Sequence, residues 1–181
     1  GNDAVRAVSQ LGRLAIYEGR MLRRDESSAS ARRNAFARCF CEDPTVDITL
    51  LGPVGSCDAP GFVEKISPAA LGTPHPAYYY FKSACMALWL EEATTVQKVA
   101  FLGDLQDLVD EGEQLDTRFE GGGIHRVRAG IRSNPATIAL GEYDLDEADE
   151  AVDEALSLNA FPGDRNAGVD YFENWVLKID I

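Results

Sequence analysis

The 181-residue chain has only two histidines, two methionines, two tryptophans and four cysteines. His75 and His125 are the only imidazoles, and Cys39-x-Cys41 is not the Cys-x-x-Cys spacing of a zinc site. Cys39, Cys41, Cys57 and Cys85 are also sparse for a disulfide scaffold, which is normally shorter and denser in cysteine. Free, buried thiols without metal are the expectation. Long apolar runs are missing too. None approaches the ~20 residues of a membrane helix, and no signal-peptide pattern opens the chain, so a cytoplasmic location is expected. Positive charge is scarce, with 17 Lys and Arg against 30 Asp and Glu, a net charge of −13 and a pI near 4.5. Such acidity opposes general binding to nucleic acid or to an anionic bilayer.

What remains is ordinary globular material. Apolar residues make up 45% and charged residues 26%, and the length suits one domain over residues 1–181 with a full core. Residues 3–24 read as a helix, with Asp3 as cap and Val5, Val8, Leu11, Ala15, Met21 and Leu22 near one face. A second helix opens at Ser28 or Ser30 and stops at Asp43-Pro44. Val46, Ile48 and Leu50 alternate with polar residues as a strand, and Asp58-Ala59-Pro60 opens a short helix. Residues 78–90 are apolar nearly all round, so a buried strand and a buried helix both fit. Residues 102–109 have helical spacing interrupted by Gly103 and stay open. Ile124, Val127 and Ile131 suggest a strand, as do residues 137–143. Residues 144–158 form an amphipathic helix, and Tyr171, Trp175, Leu177, Ile179 and Ile181 alternate as a last strand.

Charge is unevenly placed. Residues 1–41 hold eight arginines and four acids, a local +4 that leaves −17 on the rest. Arginine-lined helices packing on acidic surface, within one chain or between two copies, would use this contrast. A simply solvated helix face is the plainer account.

The order helix, helix, strand, turn, short helix over residues 3–66 resembles the start of the nuclear transport factor 2-like fold, in its scytalone dehydratase and polyketide cyclase branch. The words that carry the resemblance are Phe36-Ala37-Arg38-Cys39-Phe40-Cys41-Glu42-Asp43-Pro44-Thr45-Val46-Asp47, similar to that branch's second helix and first strand. The resemblance covers about a third of the chain. It implies an α+β fold, two N-terminal helices on a curved, mainly antiparallel sheet that encloses an apolar cone. A mostly helical domain is the alternative.

In such a cone a desolvated acid or base moves protons beside a carbonyl without a cofactor. The resemblance places Asp47 at the family's acidic position, His75 near a histidine position before the third strand, and Tyr17 where a phenol sometimes faces the pocket. His125 is the other imidazole and a second candidate acid. For His75 and His125 a structural place in loop or strand is the plainer role, and for Tyr17 it is core packing. Tyr78, Tyr80, Phe81 and Trp89 offer an aromatic wall for a ligand, or an ordinary core.

Other motifs carry less. Asp144-x-Asp146-x-x-Asp149-Glu150 lacks the glycine of a calcium loop, so a solvated acidic face explains it. Gly121-Gly122-Gly123 lacks the residues of a phosphate loop or a dinucleotide fingerprint. Two functions are therefore open. The first is binding of a small hydrophobic molecule, or lyase or isomerase chemistry on it, with Asp47 as base. The alternative is a non-enzymatic acidic domain that masks a basic partner. The apolar face of residues 171–181 adds the expectation of a homodimer.

Overall fold

A computed structural model describes residues 2–22, 28–37 and 74–158. Among them every regular element is a helix: α1 (Asn2–Met21), α2 (Ala29–Ala37), α3 (Pro76–Glu91), α4 (Thr95–Glu113), α5 (Gly123–Ser133), a 3-10 helix (Pro135–Leu140) and α6 (Leu145–Ser157). The expected α+β cone is therefore overturned, since the described residues contain no strand and no sheet. The strand at residues 46–50, the short helix after Asp58 and the strand at 171–181 lie outside the described residues. The chain divides into two compact units, Gly1–Leu105 and Gln106–Ile181, with the division inside α4.

In the first unit, α1 packs on α2 and α3, and α2 on α3. The inward stripe of α1 is Val8, Gly12, Ala15 and Gly19, spaced by three or four residues and nearly without side-chain bulk. Two aromatic rings use that smoothness. A Cβ on Gly12 would stand 2.3 Å from Phe81 Cδ1, and one on Gly19 would stand 2.2 Å from Phe36 Cε1. Met21, expected inside, is instead exposed.

The segment at residues 78–90 resolves as helix. His75 caps it, its Nδ1 accepting from the Ala77 N–H at 3.1 Å, and Pro76 takes the first turn, where its missing N–H costs nothing. Phe81, Cys85, Met86 and Trp89 are fully buried, and Trp89 meets Phe101 of α4 edge-on at 5.7 Å. Arg32 of α2 is also buried. Its Nε and Nη2 donate to the two carboxylate oxygens of Glu92, the residue that ends α3, at 2.8 and 2.9 Å. One expectation fails here on the chemistry of sulfur: Cys85 is disulfide-bonded, with its partner outside the described residues.

Thr94 and Gln97 start α4 as a reciprocal cap: the Thr94 N–H donates to Gln97 Oε1 and the Gln97 N–H to Thr94 Oγ1. In the second unit, residues 124–131 are helical where a strand was expected. Ile124, Val127 and Ile131 are three and four residues apart, which is a helical interval, although their β-branching raises strand propensity. The three glycines build the start of this helix. Glu120, Gly121 and Gly122 all have positive φ, and Arg126 donates to the carbonyls of Glu120 and Gly121 at 2.8 and 3.0 Å. Gly122 also lies so close to α6 that a Cβ would stand 2.8 Å from Ala155 Cα.

The strand expected at residues 137–143 is replaced by the 3-10 turn. Asn134 Oδ1 accepts from Ala136 N–H at 2.9 Å, Pro135 sets φ, and Gly141 closes the turn at φ 75°. The amphipathic helix of residues 144–158 stands as α6, capped by Asp144, whose Oδ1 accepts from Glu147 N–H at 3.0 Å. Its inner face, Ala148, Ala151, Val152 and Ala155, packs on α5 around Ala129.

Glycine positions give the first prediction. Gly12→Ala should lower stability by about 1–3 kcal/mol through overpacking against Phe81, despite the better helix propensity of alanine. Gly103→Ala on α4 meets nothing within 4 Å and should raise stability by about 0.5–1 kcal/mol. Chemical denaturation of both variants checks this; equal shifts in one direction would refute the close-packing account.

Candidate functional site

The second unit carries a dense set of paired charged side chains. Helix α5 presents Arg128 and Arg132 four residues apart, hence on one face. Arg128 Nε donates to Glu113 Oε1 at 2.7 Å, and its Nη2 reaches both Glu113 Oε2 and Asp110 Oδ1, the latter at 2.8 Å. Its Nη1 is 3.6 Å from Glu147 Oε1. Arg132 binds the Glu142 carboxylate through Nη1 and approaches Glu147 Oε2 at 3.1 Å through Nε. Gln106 adds a hydrogen bond to Glu142. Two arginines thus tie together the last turns of α4, the loop before α6 and its first turn.

Beside them lies a cleft of about 260 Å³, lined by Gln106, Asp107, Val109, Asp110, Arg128 and Ile131 together with Arg132 and Glu142. Its cations are already matched by carboxylates, so an entering anion would have to displace Glu113 or Glu142. Its wall is chiefly polar, which suits neither a greasy substrate nor the desolvation that raises a catalytic carboxyl.

One turn before Arg128, His125 is buried on α5. Its Nδ1 stands 3.3 Å from Glu113 Oε1 and 3.1 Å from Glu154 Oε2, but neither approach has hydrogen-bond geometry. Burial pushes the Glu113 carboxyl up; its contacts with His125 and Arg128 outweigh that and hold it below the ordinary glutamate value. Arg128 is held charged by Glu113 against the opposing effect of burial, with Asp110 adding to the attraction.

The residues nominated from sequence are placed as follows. Asp47 lies outside the described residues. Tyr17 is on the outward face of α1, 61% exposed. His75 is the cap of α3. Tyr78, Phe81 and Trp89 are buried in the first unit, where the Tyr78 hydroxyl accepts from buried Lys82 at 2.9 Å, and half-buried Tyr80 stacks edge-on against Phe81. His125 belongs to the second unit. None of them lines the cleft described above.

Reading residues 124–131 as a strand put Arg126 and Arg128 on one face. The helix separates those two and joins Arg128 to Arg132, so the ion-pair cluster was invisible until the period was right. The signal existed in the i, i+4 arginines facing acids in the flanking segments. Among the described residues no group of three His, Cys, Asp or Glu is placed to hold a metal ion, and no helix is long and apolar enough to cross a membrane. Comparison with family models, curated proteins and solved structures finds no match, so no family is assigned.

Because the folded Glu113 carboxyl titrates below the ordinary 4.5, its contribution to stability is present above that value and lost as pH falls through the folded one. Glu113→Gln should therefore cost roughly 1–2 kcal/mol at neutral pH, a figure already discounted for partial exposure, and progressively less in acid. Urea midpoints across the acid range test it; a gap between the two proteins that is constant with pH would show that Glu113 acts by shape alone.

Proposed function

We propose that this chain is a non-enzymatic interaction domain whose acidic helical face receives a basic partner. One observation carries the reading. Helix α6 turns Ala148, Ala151, Val152 and Ala155 inward and leaves Asp146, Glu150 and Asp153 exposed, and the segment leading into it carries the exposed apolar side chains of Ile138, Tyr143 and Leu145. Acids and apolar groups together suit a partner that is both basic and apolar, the charges setting register and approach and the apolar groups supplying contact area. The wall of the cleft in the second unit gives no comparable support to lyase or isomerase chemistry.

A synthetic amphipathic helical peptide with lysines on one side and leucines along the edge is a suitable probe. Its affinity should fall about tenfold or more between low salt and about 0.5 M salt, and again in a variant carrying Asp146→Lys, Glu150→Lys and Asp153→Lys. Binding indifferent to both changes would sink the reading.

The disulfide at Cys85 bears on compartment. It favours an oxidising environment over the cytoplasm expected from the sequence. In denatured protein isolated without reductant, the Cys85 thiol should resist alkylation until reductant is added. Alkylation of Cys85 before reduction, followed by peptide mass mapping, would return the protein to a reducing compartment.

A further inference from the structure

The arginines of the cleft in the second unit do not use up its acids. Arg128 meets Glu113, Asp110 and Glu147, and Arg132 meets Glu142 and Glu147, so each guanidinium is matched by at least two carboxylates. One acid of the lining is left over. Asp107 is exposed where α4 borders the cleft, and among the described residues it has neither an ion-pair nor a hydrogen-bond partner. Asp110 follows three residues later, hence on the same side of the helix, and gives Arg128 only its Oδ1. Gln106 uses its amide N–H on Glu142, and among the described residues no donor reaches its Oε1. The unfilled groups of this wall are therefore acceptors, set beside a surplus of negative charge.

The space also has an apolar part. Val109 and Ile131, both buried, belong to the lining. At about 260 Å³ the cleft falls short of the roughly 300–1,000 Å³ of pockets that enclose drug-sized molecules, and it suits one extended side chain. An alkyl cation meets both demands. Its methylene stem lies against Val109 and Ile131, while a head with several N–H donors faces Asp107, Asp110 and Gln106.

We propose that this cleft receives the ammonium or guanidinium end of a lysine or arginine side chain carried by the basic partner. This rests on the interaction reading given above and names the anchor of that contact. Continuity with the acidic helix supports it. Glu142 of the lining directly precedes Tyr143, the Asp144 N–H donates to the Arg132 carbonyl at 2.9 Å, and Glu147 in the first turn of α6 reaches both arginines. Cleft and acidic helix are thus built on one segment of one unit. A side chain seated in the cleft fixes the partner at the start of α6, and such a buried anchor supplies more of the binding energy than the exposed charge pairs beyond it.

Butylguanidinium and butylammonium chlorides are probes for head and stem, with sodium butyrate as the anionic control. In amide NMR spectra both cations should give saturable shifts at residues 106–110 and 128–132 that weaken as salt rises, and butyrate should give none. Because Asp107 has no partner inside the molecule, Asp107→Asn should leave the thermal melt unchanged. It should lower the affinity for butylguanidinium, and for the leucine and lysine peptide, about fivefold or more, whereas Asp107→Glu should retain both.

Cations without saturable shifts, shifts that spare both segments, or an affinity indifferent to Asp107→Asn overturn the proposal. If butylguanidinium binding depends on Asp107 and peptide binding does not, the cleft serves free amines and the anchor is refuted. Peptide binding lost in the triple lysine variant of α6 yet unchanged by Asp107→Asn also refutes the anchor, and leaves the interaction reading standing. A peptide that does not bind the wild-type protein sinks both.

Discussion

The first unit depends on how closely two phenylalanine rings approach the backbone of one helix. Gly12 and Gly19, two turns apart on α1, leave no side chain where Phe81 of α3 and Phe36 of α2 rest. Glycine inside a helix costs roughly 1 kcal/mol of propensity at each position. That cost is offset here because each ring gains contact along its face and loses water from it, an effect of about 1.5–3 kcal/mol per buried aromatic. The inner side of α3 follows from this seating. With Phe81 fixed, Cys85 and Trp89 fall one and two turns further along the same side of α3, and Trp89 reaches Phe101.

Arginine plays two opposite parts in the molecule. On α2 and α5 the guanidinium groups of Arg32, Arg128 and Arg132 are turned towards carboxylates from distant parts of the chain, and they act as fixed struts whose fork geometry suits two oxygens at once. On α1 the same residue type faces water. The acids follow a parallel division, with Glu92, Glu113 and Glu142 held inside the ion-pair network and Asp146, Glu150 and Asp153 turned outward. Among the described residues, exposed arginines recur on α1 and exposed carboxylates on α6.

Legibility in the sequence was uneven for physical reasons. Helices α1 and α6 have a one-sided apolar pattern and were readable, α6 with its Asp144 cap as well, whereas Asp3, expected to cap α1, lies inside that helix. Helix α3 has apolar residues on every side, so its period carries no information; the proline at its first turn, behind a histidine cap, was the usable cue. The Thr94-x-x-Gln97 cap would have settled α4, since a reciprocal cap before apolar residues at helical intervals has no counterpart at a strand. Residues 124–131 misled because isoleucine and valine raise strand propensity while their spacing of three and four is helical. That one misreading also hid the arginine pair, which shows that the candidate site was no more legible than the element that carries it. Asp47, on which the enzymatic expectation turned, lies outside the described residues.

The two kinds of tight glycine differ in what sequence drift can repair. At Gly12 the obstructing partner is a large ring, so a chain that acquires alanine there retains an escape: a smaller residue at position 81 could reopen the space. At Gly122 the neighbour is the backbone and methyl group of Ala155, and the backbone itself has φ 82°. Nothing at position 155 can be made appreciably smaller, and no neighbour can change the handedness that position 122 must adopt. The seam between α5 and α6 is therefore a place where a lineage has one solution and no compensating route away from it, whereas the seam between α1 and α3 has several.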